Sequence, residues 1–128
     1  MIQVKQVIER EDVTLPRALP VAVHCPMSER HRAALAAVAR DYRARTDPHA
    51  EVDGIEGNIT LDDGDLVWHY GGGCDLMFSV VHVPAGVFVR AMEKTSDRWT
   101  TVATWPIDLG DHTGTARTIW LLITLIVA

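Results

Sequence analysis

The segment ITLDDGDLVWHY, residues 59–70, decides the fold class of this chain. Apolar and polar residues alternate on either side of its centre, which is the period of a β-strand with two different faces. The Asp63–Gly64 pair at the centre is a dipeptide that tight hairpin turns favour. The segment therefore predicts a β-hairpin whose second strand points His69 to one face. The opposite, apolar face of that strand carries Leu66, Trp68 and Tyr70.

The alternating pattern continues towards the C-terminus, and turn residues interrupt it at short intervals. Residues 84–86, Pro-Ala-Gly, predict one turn, and residues 94–98 predict another. Three more strands of an antiparallel meander are therefore expected, at residues 76–83, 87–93 and 99–105. Strict alternation places four residues of the last strand on one face: Trp99, Thr101, Ala103 and Trp105.

Upstream of the hairpin, residues 29–45 have the pattern of an amphipathic α-helix. Ser28 supplies an N-cap hydroxyl, Glu29 places negative charge in the first turn, and no glycine or proline interrupts the alanine-rich run. The predicted buried face carries Ala34, Leu35, Val38 and Tyr42. The predicted solvent face is basic and carries Arg32, Ala36, Arg40 and Arg43.

The two ends of the chain hold shorter or ambiguous patterns. Residues 2–8 alternate and predict a first strand, and the apolar run 21–25 predicts a second strand that Pro26 ends. Residues 107–115 have the composition of a loop. The apolar run 119–128 is far shorter than the roughly 20 residues of a membrane span, and its β-branched content favours a strand buried on both faces. A helical stripe is the alternative, through Ile119, Leu122, Ile123 and Ile126.

These elements predict one α+β domain over residues 1–128. Its expected architecture is a mainly antiparallel, curved sheet of about five to seven strands, with one long amphipathic helix packed on a face. The length of 128 residues, with 48% hydrophobic and 23% charged residues, fits a folded domain of common size.

Charge and cysteine content narrow the class of function. The formal net charge of −5 has the wrong sign for a protein that neutralises nucleic-acid phosphates, so no nucleic-acid partner is expected. The first residues lack a basic segment followed by an apolar run, and Cys25 and Cys74 are better interpreted as reduced thiols than as a disulfide framework. A cytoplasmic protein with no membrane segment is therefore expected.

The segment WHYGGGCD, residues 68–75, is the richest in reactive groups. His69, Cys74 and Asp75 supply an imidazole, a thiol and a carboxylate beside glycines that allow close backbone approach. With His82 they form the candidate catalytic set, although no strand-to-helix turn of the kind that presents a nucleophile follows Cys74. A structural turn with a half-buried thiol is the plainer interpretation of the same residues.

No metal site and no cofactor are predicted. The histidines and cysteines are not spaced in the close pairs that structural zinc sites use. The glycines at 71–73 are not followed by the Lys-Ser/Thr pair of a phosphate-binding loop.

Small size, acidity and the lack of a convincing catalytic set favour a protein-interaction module of the inhibitor, immunity or regulatory type. An acidic surface would steer such a module to a basic protein partner. The predicted partner-binding surface comprises Glu51, Asp53, Glu56, Asp62, Asp63 and Asp65.

The alternative hypothesis is a pocket protein with a cavity between sheet and helix. It would be a small-molecule binder or a small enzyme of the lyase, isomerase or cyclase type. The residues expected near the mouth of the cavity are His69, Cys74, Asp75 and His82. The apolar run 119–127 independently favours a homodimer, because so apolar a segment needs cover in the core or from a second subunit.

Overall fold

The computed structural model describes residues 22–47, 49, 55–70 and 75–127. Over these residues the chain forms a six-stranded antiparallel sheet with two α-helices on one face, which confirms the predicted α+β class. The predicted strand at residues 2–8 lies outside the described residues. In chain order the elements are β1 (Val23–His24), α1 (Glu29–Thr46), a short 3-10 helix (Ile55–Asn58), β2 (Ile59–Asp62), β3 (Asp65–His69), β4 (Asp75–Val83), β5 (Gly86–Thr95), β6 (Arg98–Pro106) and α2 (His112–Val127).

The sheet is a meander of consecutive hairpins, in the order β2-β3-β4-β5-β6. β1 pairs with the later part of β4, where Val23 lies opposite His82. The predicted hairpin forms between β2 and β3, and its turn residues Asp63 and Gly64 have φ of 50° and 83°. These left-handed values suit a two-residue type I′ turn. A Cβ on Gly64 would lie 2.5 Å from the Cβ of Pro26, so close packing at this turn also requires glycine.

One face of the sheet, which we call the front face, carries the hydrophobic core. The strand register places alternate residues of β3, β4, β5 and β6 on this face. Both helices contribute to the same buried cluster, for example through Leu35 of α1 and Ile119 of α2. The sheet residues of the cluster are Ile59, Leu66, Trp68, Leu76, Phe78, Val80, Val89, Ala91 and Ala103.

The opposite face, which we call the reverse face, lies apart from this core. Val81 and Val83 form a separate small cluster, against which Phe88 packs, and no helix residue belongs to it. The helices therefore cover only the front face of the sheet. Other buried residues of the reverse face are Val67, Ser79, Met92 and Thr104.

A β-bulge changes the faces predicted for the last strand. Ala103 lies opposite Ala91 and Thr101 lies opposite Met92, so Val102 is an extra residue between two positions of the ladder. Because one extra residue reverses the alternation, Thr101 and Ala103 point to opposite faces. The prediction of a single shared face is therefore wrong for Trp99, Thr101, Ala103 and Trp105.

Helix α1 occupies the predicted span but buries a different stripe. Ala36, predicted on the solvent face, is 3% exposed, and Tyr42, predicted on the buried face, is 45% exposed. Both predictions are wrong for one reason: α1 packs against α2 as well as against the sheet, so its buried stripe turns towards both. The buried residues of the helix are His31, Leu35, Ala36 and Ala39.

The predicted C-terminal strand is wrong, because residues 112–127 form helix α2. The helix begins inside the segment predicted as a loop, and Asp111 caps it by accepting a hydrogen bond from the Gly114 N–H at 3.0 Å. Residues at helical spacing from Ile119 are buried against α1 and the sheet, whereas Leu121 is 46% exposed. This one-sided burial stabilises the helix over the strand that β-branched residues favour.

Candidate functional site

His69 and Asp75, two of the predicted catalytic residues, lie directly opposite each other where β3 ends and β4 begins. His69 Nδ1 is 2.8 Å from Asp75 Oδ1. A carboxylate only accepts hydrogen bonds, so Nδ1 carries a proton and donates it. In the neutral imidazole Nε2 is then an acceptor, and Thr60 Oγ1 on β2 lies 3.0 Å from it. Together the three side chains form a hydroxyl–imidazole–carboxylate chain, which is the order of groups in a nucleophilic triad.

Water reaches this Thr60–His69–Asp75 triplet. The side chains of His69 and Asp75 are 40% and 30% exposed. Such exposure keeps the local dielectric high, which weakens electrostatic activation of a hydroxyl nucleophile. The triplet also has a structural role, because it links three adjacent strands across the reverse face.

The other two predicted catalytic residues do not join the triplet. Cys74 lies outside the described residues. His82 is exposed on the opposite face of β4, about 23 Å along the strand from Asp75. Thr60, by contrast, is not among the site residues predicted from the sequence. Its position follows from the hairpin register, which pairs Thr60 with Val67 and so places it diagonally across from His69.

Two carboxylates of the predicted acidic surface have partners within the protein. Glu56 pairs with Arg40 of α1. Asp65 Oδ1 lies 2.8 Å from Nε2 of His24. These two carboxylates are therefore less available to a basic partner than the sequence suggests.

Asp62 and Asp63 are the exposed members of the predicted acidic surface, at the turn between β2 and β3. Glu51 and Asp53 lie outside the described residues. Of the carboxylates that the structure describes on this surface, Asp62 and Asp63 remain for an external partner.

A groove opens between the C-terminal halves of the two helices and the end of β3. Its volume is about 460 Å³, and we call it the aromatic groove. The Trp120 ring stands edge-on to Trp68, with centroids 5.4 Å apart, and to Tyr42, with centroids 5.7 Å apart. These edge-to-face contacts hold the aromatic walls in defined orientations. The groove is lined by Tyr42, Arg43, Trp68, Tyr70, Trp120, Ile123, Thr124 and Val127.

Arg43 brings a positive charge to this apolar groove. Its guanidinium carbon lies 5.6 Å from the centroid of the Trp68 ring, in cation–π contact. Arg45, two residues further along α1, pairs with Asp41 at 3.2 Å. No carboxylate among the described residues pairs with Arg43 in this way. Its charge therefore remains available to an anion in the groove.

The two tryptophans that line the groove have indole N–H groups without an acceptor among the residues that the structure describes. The Nε1 atoms of Trp68 and Trp120 are buried and have no hydrogen-bond partner in the part of the chain that the structure describes. A buried donor left unpaired costs about 1 to 3 kcal/mol. Because most buried polar groups in folded proteins are paired, these two donors mark a place where an added acceptor would be stabilising.

A second, smaller groove of about 270 Å³ shares Tyr42, Trp120 and Thr124 with the aromatic groove. Leu121 lines it and is 46% exposed, and Val127 on the aromatic groove is 44% exposed. The surface between the C-terminal halves of the helices is therefore rich in exposed apolar area.

At the opposite end of the helix pair, the rings of His31 and His112 lie 4.3 Å apart. His31 Nδ1 accepts from the Ser28 N–H at 3.0 Å, which leaves Nε2 to donate to the Leu109 carbonyl at 2.9 Å. Burial lowers the pKa of His112 below its ordinary value of 6.5, His31 and Arg30 act in the same direction, and Asp111 opposes them. His31 has hydrogen-bond partners inside the protein, so we assign this end of the helix pair to stability.

None of the groove residues is predicted from the sequence as a binding residue. Trp68 and Tyr70 are expected on a core-facing strand, Arg43 on a solvated helix face, and Trp120 in a strand. The helical stripe in the C-terminal run is the one signal that leads to the groove, because it places Trp120 on a second helix.

Among the described residues, no group of three or more His, Cys, Asp or Glu side chains is placed to hold a metal ion. None of the described helices is long and apolar enough to cross a membrane. No family model matches this chain, and searches of curated proteins and of solved structures gave no match either. Function must therefore be inferred from the geometry of the sites.

Proposed function

We propose that this protein binds a small, mainly apolar molecule that carries an anionic group, and that the aromatic groove is its binding site. The observation that carries this proposal is Arg43, which lies against the Trp68 ring with no carboxylate partner among the described residues. Of the two functions that the sequence suggests, this is the small-molecule pocket protein, but at a groove that is not lined by His69, Asp75 or His82.

The size and lining of the groove support a small ligand. Its volume of about 460 Å³ lies within the roughly 300 to 1,000 Å³ of typical ligand pockets. Aromatic walls suit a flat or hydrocarbon body, and one cation at the wall orients an anionic group. The indole N–H groups of Trp68 and Trp120 would gain an acceptor from a ligand oxygen that reaches them.

The other functions have less support from the geometry. In the acidic surface expected to meet a basic protein, Glu56 forms an ion pair with Arg40 and Asp65 forms a hydrogen bond with His24. A catalytic role for His69 and Asp75 lacks a setting that excludes water. Binding of a basic protein and catalysis at His69 and Asp75 therefore stay predictions from the sequence.

We also infer a cytoplasmic location and a homodimer. Cys25 is a free thiol, in keeping with a reducing compartment. Two copies that pair through α2 would cover the exposed side chain of Leu121, which does not line the aromatic groove. Native mass spectrometry of Leu121→Asp tests this assembly. We expect a monomer, and a persistent dimer would contradict an interface on α2.

Two fluorescent probes test the groove, because they differ in one group. Anilinonaphthalene sulfonate has an anionic sulfonate on an aromatic body, and N-phenylnaphthylamine has the same body without the charge. We expect Arg43→Gln to weaken binding of the anionic probe about five- to tenfold, equivalent to roughly 1 to 1.4 kcal/mol. Binding of the neutral probe should change little. Fluorescence titration of the full chain measures both affinities.

Arg45→Gln is the matched control for this experiment. It removes a charge from the same helix, but one already paired with Asp41, so binding of both probes should be unchanged. Thermal denaturation checks that each variant is folded. Equal affinity of the anionic probe for Arg43→Gln and the unaltered protein would overturn the proposal.

A further inference from the structure

The reverse face of the sheet carries a second cation, Arg90, that has no partner among the described residues. Arg90 of β5 lies between Ser79 of β4 and Thr104 of β6 in the strand register. Ser79 is 5% exposed and Thr104 is 1% exposed. The Nε of Arg90 and the Oγ1 of Thr104 are buried and have no hydrogen-bond partner in the described part of the chain. Three polar side chains therefore form a row across three adjacent strands of the reverse face.

No carboxylate that the structure describes neutralises Arg90. The acidic side chains of β3 and β4 on this face, Asp65 and Asp75, already pair with His24 and His69. A buried guanidinium N–H without an acceptor is costly, and an acceptor brought to the site removes that cost. Binding of an anion at this row of side chains would therefore be favourable.

The chemistry of the row fits a carboxylate. A guanidinium presents paired N–H donors that match the two carboxylate oxygens, and the hydroxyls of Ser79 and Thr104 add a donor on either side. Val81 and Met92, 5% and 9% exposed, flank the row on the same face and suit a hydrocarbon chain. The ligand class is therefore an acid with an apolar tail.

We propose that the reverse face binds a carboxylate with a short hydrocarbon chain at Ser79, Arg90 and Thr104. The ligand is a free small acid that carries both the carboxylate and the hydrocarbon chain. The site goes beyond the proposed function, because it lies on the face that neither helix covers and shares no residue with the aromatic groove.

Sodium hexanoate is the probe for this site, and hexylammonium chloride of the same chain length is the control ligand. The readout is the Arg90 Nε–H signal in proton–nitrogen correlation spectra of the full chain, with backbone amides of β4 and β5 as a second reporter. We expect hexanoate to shift these signals and hexylammonium to leave them in place. Arg90→Gln should weaken hexanoate binding at least about tenfold. Arg98→Gln, at an exposed arginine of β6, should leave it unchanged.

An Arg90 Nε–H signal that hexanoate does not move would overturn the proposal, whether or not Arg90→Gln folds. Equal hexanoate affinity of a folded Arg90→Gln variant would overturn it as well. Arg43→Gln should keep the full hexanoate response, so failure of the aromatic groove and failure of this site are distinguishable.

Discussion

The front and reverse faces belong to the same sheet, but the two helices cover only the front face. Val80 on the front face belongs to the buried cluster that both helices share, whereas Val81 on the reverse face belongs to a small cluster without a helix. The unpaired donors of the front face, the indoles of Trp68 and Trp120, lie in the groove between the helix ends. On the reverse face, the buried groups without a partner among the described residues are the Nε of Arg90 and the Oγ1 of Thr104. Buried hydrogen-bonding groups thus lack partners in the groove between the helix ends and on the face without helices. We expect ligands to bind at these two places.

The largest expected effect comes from substitutions at two neighbouring valines, one on each face. Val80 is 0% exposed and Val81 is 5% exposed, and they point to opposite faces. We expect Val80→Ala to lower the free energy of unfolding by about 2 to 3 kcal/mol, because it leaves a cavity in the helix-covered core. Val81→Ala should cost about half as much. Urea denaturation measures both, and equal losses would break the distinction between the faces.

The cap of α2 tests whether the front face depends on that helix. Asp111→Ala removes the acceptor for the Gly114 N–H, and we expect it to cost about 1 kcal/mol. Because α2 forms a wall of the aromatic groove, binding of anilinonaphthalene sulfonate should weaken in parallel. The hexanoate response at Arg90 should be unaffected, and a loss of both responses would contradict the separation of the faces.

Stability of the helix pair should depend on pH through His112. Burial lowers its pKa below the ordinary value of 6.5, with further lowering by His31 and Arg30 and an opposing effect of Asp111. The unfolded chain therefore binds this proton more readily than the folded protein. Its contribution to stability is complete above the ordinary value and is lost as the pH falls below it.

Thermal melts between about pH 8 and pH 5 measure this dependence. His112→Gln should flatten it, because glutamine does not titrate in this range. An identical slope in the variant and the unaltered protein would assign the pH dependence to other groups.

The smallest expected effect is at Arg90 in the absence of carboxylates. Arg90→Met removes an unpaired buried N–H and keeps an apolar chain of similar reach, so we expect a change in stability within about 0.5 kcal/mol, or a slight gain. A loss of about 2 kcal/mol or more would show that Arg90 is held by a partner within the protein. Urea denaturation in a carboxylate-free buffer distinguishes the two.

The parts of the fold that the sequence predicts correctly are those governed by local chemistry. The Asp63–Gly64 turn sets the hairpin register, and Ser28 marks the beginning of α1. Helix α2 is different, because its β-branched residues favour a strand locally and only packing against α1 selects the helix. Asp111 is of a residue type that favours the N-cap position, so it is a sequence feature that predicts the start of that helix.

The candidate sites are less predictable than the elements, because each combines distant parts of the chain. His69 and Asp75 meet because β3 and β4 pair in one register. The aromatic groove needs three elements, including Trp120 of a helix that sequence patterns leave ambiguous. Arg90 is a candidate because its Nε has no hydrogen-bond partner among the described residues. Thr104 lies opposite Arg90 only because the β-bulge shifts the register of β6.

The most direct test of the central claim is where an anionic aromatic ligand contacts the four tryptophans of the protein. Each indole N–H gives its own signal in a proton–nitrogen correlation spectrum, and single Trp→Phe variants assign them. On titration with anilinonaphthalene sulfonate, the signals of Trp68 and Trp120 should shift together while those of Trp99 and Trp105 stay in place. Shifts confined to Trp99 and Trp105 would place the ligand elsewhere and contradict binding in the aromatic groove.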